Sequence, residues 1–152
     1  MADSLEQLYQ QVILDHSRQR HGAGDLETFD GESFQVNPTC GDEVTMKVQL
    51  SSDAEGVRIA SLGWEGQGCS ISQASLSVLH DLVDGRSVEE VEELDALFRE
   101  LMHGRGQPLD DEKLERLDDA SAFVGVAKYP ARIKCALLGW MALRDALVQA
   151  RS

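Results

Sequence analysis

Three cysteines and one aspartate offer the clearest chemistry in the chain. Cys40 stands in the turn Asn37-Pro38-Thr39-Cys40-Gly41-Asp42, at the entry to a strand. Cys69 follows Gly66-Gln67-Gly68 and opens a helix, where free N–H groups and the helix dipole favour negative charge. Cys135 lies in the first turns of the last helix just after Arg132 and Lys134, whose charges favour its thiolate. Asp42 is two residues beyond Cys40, and on a strand i and i+2 share a face. Three sulfurs and a carboxylate suit a tetrahedral zinc ion or an iron–sulfur cluster. The spacing does not decide the matter, since the cysteines are far apart and unlike paired C-x-x-C fingers. Free cysteines also serve as small buried hydrophobes. What favours a site is that two of the three sit in Gly-rich or Pro-Gly turns, where function concentrates.

Composition narrows the setting. The 152 residues carry 14 Lys and Arg against 27 Asp and Glu, a formal charge of −13. Such a charge repels phosphate backbones, which excludes nucleic acid as the natural partner, and it attracts basic protein surfaces. An apolar content of 42% with 27% charged residues is that of a globular domain. No apolar run approaches the roughly 18 residues of a membrane helix. Met1-Ala2-Asp3-Ser4-Leu5 lacks the basic and apolar regions of a signal peptide, so a cytoplasmic protein is expected. An odd number of cysteines fits that reducing compartment as thiols or metal ligands.

The elements that must position these residues can be read in order. Ser4-Leu5-Glu6-Gln7 has the form of a capping box, with Ser4 as N-cap. Leu5, Leu8, Tyr9, Val12 and Ile13 then form an apolar stripe, which predicts a first helix packed on the core and ending near Arg18 to His21. Ser33 to Val36 is a short strand broken by Asn37-Pro38. From Asp42 to Leu50 apolar and polar residues alternate, the period of a strand with one buried face. A turn over Ser51 to Gly56 leads to a return strand from Val57 to about Trp64. Helical spacing resumes from Ile71 to Val83, closed by Gly85. A second capping box at Ser87 opens a helix through Leu101. Gly104 to Asp111 reads as a loop, Asp110 to Asp119 as a short, exposed acidic helix with a solvated face, and Pro130 opens the last helix. The expected architecture is one α+β domain over residues 1–152: a three-stranded antiparallel sheet covered by several helices.

At the cysteines the chain resembles a known family. Asn37-Pro38-Thr39-Cys40-Gly41-Asp42, Gly66-Gln67-Gly68-Cys69-Ser70-Ile71-Ser72 and Tyr129-Pro130-Ala131-Arg132-Ile133-Lys134-Cys135-Ala136 look like the three signatures of SufU proteins, within the wider IscU/NifU-N group of iron–sulfur cluster assembly proteins. Leu8 to His16 is similar to the family's first helix. IscU-type scaffolds resemble one another in a histidine before the last cysteine and in a Pro-rich chaperone site. Here Lys134 stands at that histidine's position, and Tyr129 to Ile133 lack the Pro-Pro-Val-Lys pattern. The segment from Phe98 to Asp119 looks like the SufU insertion. Arg18-Gln19-Arg20-His21 departs from the family in lacking its Asn-Pro.

The resemblance implies a zinc ion held by Cys40, Asp42, Cys69 and Cys135. It implies sulfur relay, in which a pyridoxal-phosphate cysteine desulfurase of the SufS type passes persulfide sulfur to Cys40 for downstream cluster assembly. A scaffold carrying a [2Fe–2S] cluster on the same residues is the alternative, and a zinc-stabilised interaction module is a third reading. Arg132 is a candidate partner contact, since exposed Arg is enriched among interface hot spots. His16, His21, His80 and His103 show no ligand spacing and are expected to be ordinary surface or core histidines.

Overall fold

The computed structural model describes residues 2–39 and 41–151, with the side chains of Ala2 and Asp3 left aside. Helix α1 spans Ala2–Gln19 and is followed by strands β1 (Gly31–Asn37), β2 (Asp42–Asp53) and β3 (Gly56–Gln67). Helices α2 (Ser70–Val83), α3 (Val88–Met102) and α4 (Asp111–Leu117), a 3-10 helix over Asp118–Lys128, and α5 (Pro130–Ala150) complete the chain. The α+β architecture expected from the sequence is the one found.

The sheet has order β1-β2-β3 and is antiparallel throughout. Val44, Met46 and Val48 of β2 are wholly buried, and the alternating residues between them are half-exposed. The other face of the sheet is only partly open, as antiparallel sheets allow, with Asp25 and Phe29 from the connection between α1 and β1 lying against Lys47. The hairpin between β2 and β3 is tighter than the sequence suggests, because the strands run on to pair Asp53 with Gly56. A shift of register at Gln49/Leu50 interrupts that ladder. Helix α5 lies across β1 and β2, α2 packs on α5, and α1 packs on α2.

The first helix departs from expectation in two ways. It begins at Ala2, so Ser4 is an interior residue rather than the N-cap. Leu5 and Leu8 are 51% and 58% exposed, outside the core. The elements that cover α1, namely α2 and the 3-10 helix, bury Ile13 and His16 in its second half. The second capping box is as read: the Ser87 hydroxyl accepts from the Glu90 N–H at 3.1 Å. The 3-10 helix is new. Asp118, at φ 51°, turns the chain out of α4, and Ala120, Phe123 and Val126 then bury themselves at the three-residue spacing of a 3-10 helix. The acidic residues from Asp110 to Asp119 are exposed, as expected of a solvated face.

Phe98, Phe123 and Trp140 form the aromatic centre of the core, each no more than 1% exposed. Phe98 stacks on Trp140 at a centroid distance of 4.9 Å and meets Phe123 edge to face at 5.8 Å. Beside them, Arg144 of α5 holds the buried Asp95 of α3 with two hydrogen bonds of 3.1 and 3.2 Å. Phe98→Ala is expected to lower unfolding stability by about 3–5 kcal/mol in urea denaturation, the range for emptying an aromatic core site. A loss below about 1 kcal/mol, typical of surface changes, would refute this packing.

Candidate metal centre

The first residue of β2 is Asp42, paired across the sheet with Asn37 at the end of β1. The connection is closed by the Gly41 N–H, which donates to the Asn37 carbonyl at 3.0 Å. Gly41 has φ 71°, a left-handed conformation that glycine adopts without steric cost. The Asp42 side chain has no exposed surface. A buried carboxylate needs partners, and its Oδ1 accepts the Cys69 backbone N–H at 2.8 Å.

Cys69 is the N-cap of α2, extended at φ −70° and ψ 167°, with no side-chain capping bond. Its N–H is among the donors that a helix start leaves unpaired, so Asp42 reaches in from the sheet to satisfy it. The Cys69 thiol is exposed and lies 3.9 Å from Asp42 Oδ2. Gly68 allows this approach, since a Cβ there would overlap the Asp42 carboxylate and Ser72 Oγ.

Cys135 is 2% exposed on α5. Its thiol faces the Ala131 carbonyl at 3.7 Å, and Asn37 Nδ2 donates toward the sulfur at 3.9 Å. Asn37 is itself buried. The sequence marks it as a strand breaker and as the first residue of the Cys40 motif, yet it also touches the last cysteine while its carbonyl closes the Gly41 turn. Its place three residues before Cys40 was the available signal.

One ligand atom each from Asp42, Cys69 and Cys135 lies within 4.8 Å of the others. Residues distant in sequence therefore meet at one point, from the start of a strand, the start of one helix and the second turn of another. Two thiols and a carboxylate fit a tetrahedral zinc ion with a fourth ligand, and the thiols fit iron–sulfur ligation as well. Cys40, expected as a ligand and as the sulfur acceptor, lies outside the described residues.

Arg132 is exposed on the first turn of α5, three residues before Cys135. Its guanidinium sits over the Tyr129 ring, 5.4 Å from the centroid. Cation and ring attract at that range, which holds the arginine beside an exposed aromatic. The histidines are far from uniform. His16 is buried between α1 and α2, while His21 and His80 both contact Asp81.

Comparison with known proteins places the chain in a family. Residues 8–136 match the model of the NifU-like N-terminal domain. The chain is 40% identical over 144 residues to the iron–sulfur cluster assembly scaffold protein IscU of Streptococcus pyogenes serotype M1, covering 94% of this chain and 84% of that one. It is 36% identical over 149 residues to the zinc-dependent sulfurtransferase SufU of Bacillus subtilis (strain 168), covering 96% and 93%. A crystal structure described as a putative iron–sulfur cluster assembly scaffold protein for the SUF system, from Fervidobacterium islandicum AW-1, superposes with a TM-score of 0.73 at 33% identity, covering 90% and 93%. The chain belongs to the NifU-like N-terminal domain family, as a SufU-type member of its IscU and SufU group.

Proposed function

We propose that the protein is a zinc-dependent, cytoplasmic sulfurtransferase, which accepts persulfide sulfur from a SufS-type, pyridoxal-phosphate cysteine desulfurase and passes it to the cluster-assembly machinery. The observation that carries this reading is the convergence of Asp42, Cys69 and Cys135 within 4.8 Å. Cys40, two residues before Asp42 in the chain, completes the donor set and is the sulfur acceptor. Zinc bound by these four residues would keep the thiols deprotonated and protected from oxidation.

The roles of the individual residues follow from how they are held. Cys69 caps a helix and Cys135 sits inside one, so both are anchored by their backbones. Asp42 is fixed by the Cys69 N–H. Cys40 belongs to the Pro-Thr-Cys-Gly connection between strands, and it is the thiol best placed to exchange partners. Its thiolate attacks the outer sulfur of the donor's persulfide. The donor's S–S bond breaks, the electron pair leaves with the donor cysteine thiolate, and a persulfide forms on Cys40. Arg132, exposed and braced by Tyr129, contacts the desulfurase beside the centre.

A second reading, a scaffold building a [2Fe–2S] cluster on the same residues, is favoured by the name of the Streptococcus relative. Metal analysis separates the two. Protein purified without oxygen is expected to be colourless with about one zinc per chain, as a site with four protein ligands would hold. A brown protein with stoichiometric iron and labile sulfide would give the site to the scaffold.

Sulfur transfer tests the residue roles. With desulfurase and labelled cysteine, Cys40→Ala is expected to lose persulfide formation. Full acceptance by Cys40→Ala, with loss in Cys69→Ala or Cys135→Ala, would remove Cys40 from its role. Asp42→Ala is expected to speed zinc release to a chelator by more than about tenfold while the protein stays folded. Outright unfolding of this variant would make the carboxylate purely structural.

A further inference from the structure

A second gathering of ligating side chains lies where α1 meets the far end of α2, and the sulfur chemistry uses none of it. Three of the chain's four histidines, His16, His21 and His80, come together there around Asp81. His16 is 5% exposed, with Nδ1 2.8 Å from Ser77 Oγ and Nε2 2.9 Å from the Asp119 carboxylate. His21 Nδ1 is 2.6 Å from Asp81 Oδ2, and His80 Nδ1 is 3.2 Å from Asp81 Oδ1. The His16 and His21 rings stand edge to face with centroids 5.2 Å apart. One ligand atom each from His16, His21 and Asp81 lies within 4.8 Å of the others.

This arrangement is braced from both sides. The His21 N–H donates to Ser77 Oγ at 2.9 Å, and its carbonyl accepts the Trp64 indole N–H at 2.9 Å. The ion-pair partners of Asp81 and Asp119 here are histidines. Burial raises the Asp81 pKa, but hydrogen bonds from His21 and His80, with the charges of His21 and His16, bring it below the ordinary aspartate value.

We propose that His16, His21 and Asp81 form a separate site for a divalent transition-metal ion of the zinc, cobalt or nickel class, entered from the exposed side of His21 and Asp81. Two imidazoles and a carboxylate are the donor set such ions accept, and three protein ligands leave positions for water. The absence of sulfur from the set distinguishes its ion chemically from one at the cysteine centre. Along α2, Asp81 is about 18 Å from Cys69 at 1.5 Å per residue, so one ion cannot serve both. The ion takes the place of the hydrogen between His21 and Asp81 and of one of the two hydrogen bonds that His16 makes to Ser77 and Asp119, and it joins the end of α1 to α2.

Titration of untagged protein with Co2+ tests the site, because cobalt on thiolates shows sulfur-to-metal charge transfer and cobalt on imidazole and carboxylate does not. The wild type is expected to bind one cobalt without that absorbance, in addition to any that produces it. His21→Gln and Asp81→Asn, both at solvent-accessible positions, should each weaken that cobalt by more than about tenfold, while the His103→Gln control leaves it unchanged. The thiolate-marked absorbance reports separately on the cysteine centre, so failure there does not obscure this result. A wild type with no cobalt beyond the thiolate-marked one, or retention of the second cobalt in either variant, overturns the proposal.

Discussion

The hydrogen bond from the Cys69 N–H to the buried Asp42 carboxylate is the join on which the functional end of the molecule depends. A carboxylate with no exposed surface loses its hydration, a cost of several kcal/mol unless the protein replaces the lost partners. The start of α2 supplies that replacement in the form of an unpaired N–H and the positive end of the helix dipole. In return, the sheet end and the helix start are held together and two sulfur-bearing segments are brought within reach of each other. Gly68 is the steric condition for the contact, because any side chain there would occupy the space of the carboxylate.

Helix α5 supplies the remaining member of the described set and gives it little freedom. It lies across β1 and β2, and Ser33 of β1 donates to Asp145 of α5 at 2.7 Å. On another face Arg144 grips Asp95 of α3, and Trp140 stacks on Phe98 of the same helix. These anchors lie C-terminal to Cys135, so the position of the thiol is set by a helix already clamped to the sheet and to α3. The Trp140 indole N–H is buried without a hydrogen-bond partner among the described residues, a local cost of roughly 1–3 kcal/mol set against the stacking.

Patterns that depend on local periodicity were legible in the chain. The alternation of Val44, Met46 and Val48 marked the buried face of β2, and Ser87 with Glu90 marked the start of α3. Asp42, Cys69 and Cys135 could be singled out by residue type and turn context before any geometry was known. What escaped was set by tertiary contact. Ser4 looks like a cap, but the helix runs past it. Leu5 and Leu8 fall on an apolar stripe, but no neighbouring element among the described residues covers them. Asn37 gains its contact with Cys135 only when β1 and α5 are packed together. The histidines show no ligand spacing because their meeting depends on α1 lying against α2, and the 3-10 helix repeats every three residues, between the periods that mark an α-helix and a strand.

The sheet leaves β1 as an edge strand, with Phe34 and Val36 exposed on its solvent face at 59% and 47%. An open edge with apolar side chains beside it is a template for pairing with another chain. The other edge is better guarded, since β3 bridges to Ala23 and to Ser87. Against such pairing the formal charge of −13 sets a long-range repulsion between copies at neutral pH. That charge vanishes near the sequence pI of about 4.6, so colloidal stability is lost on acidification while the strand edge stays open. In this molecule the excess of carboxylates is thus a form of solubility insurance for an unprotected sheet.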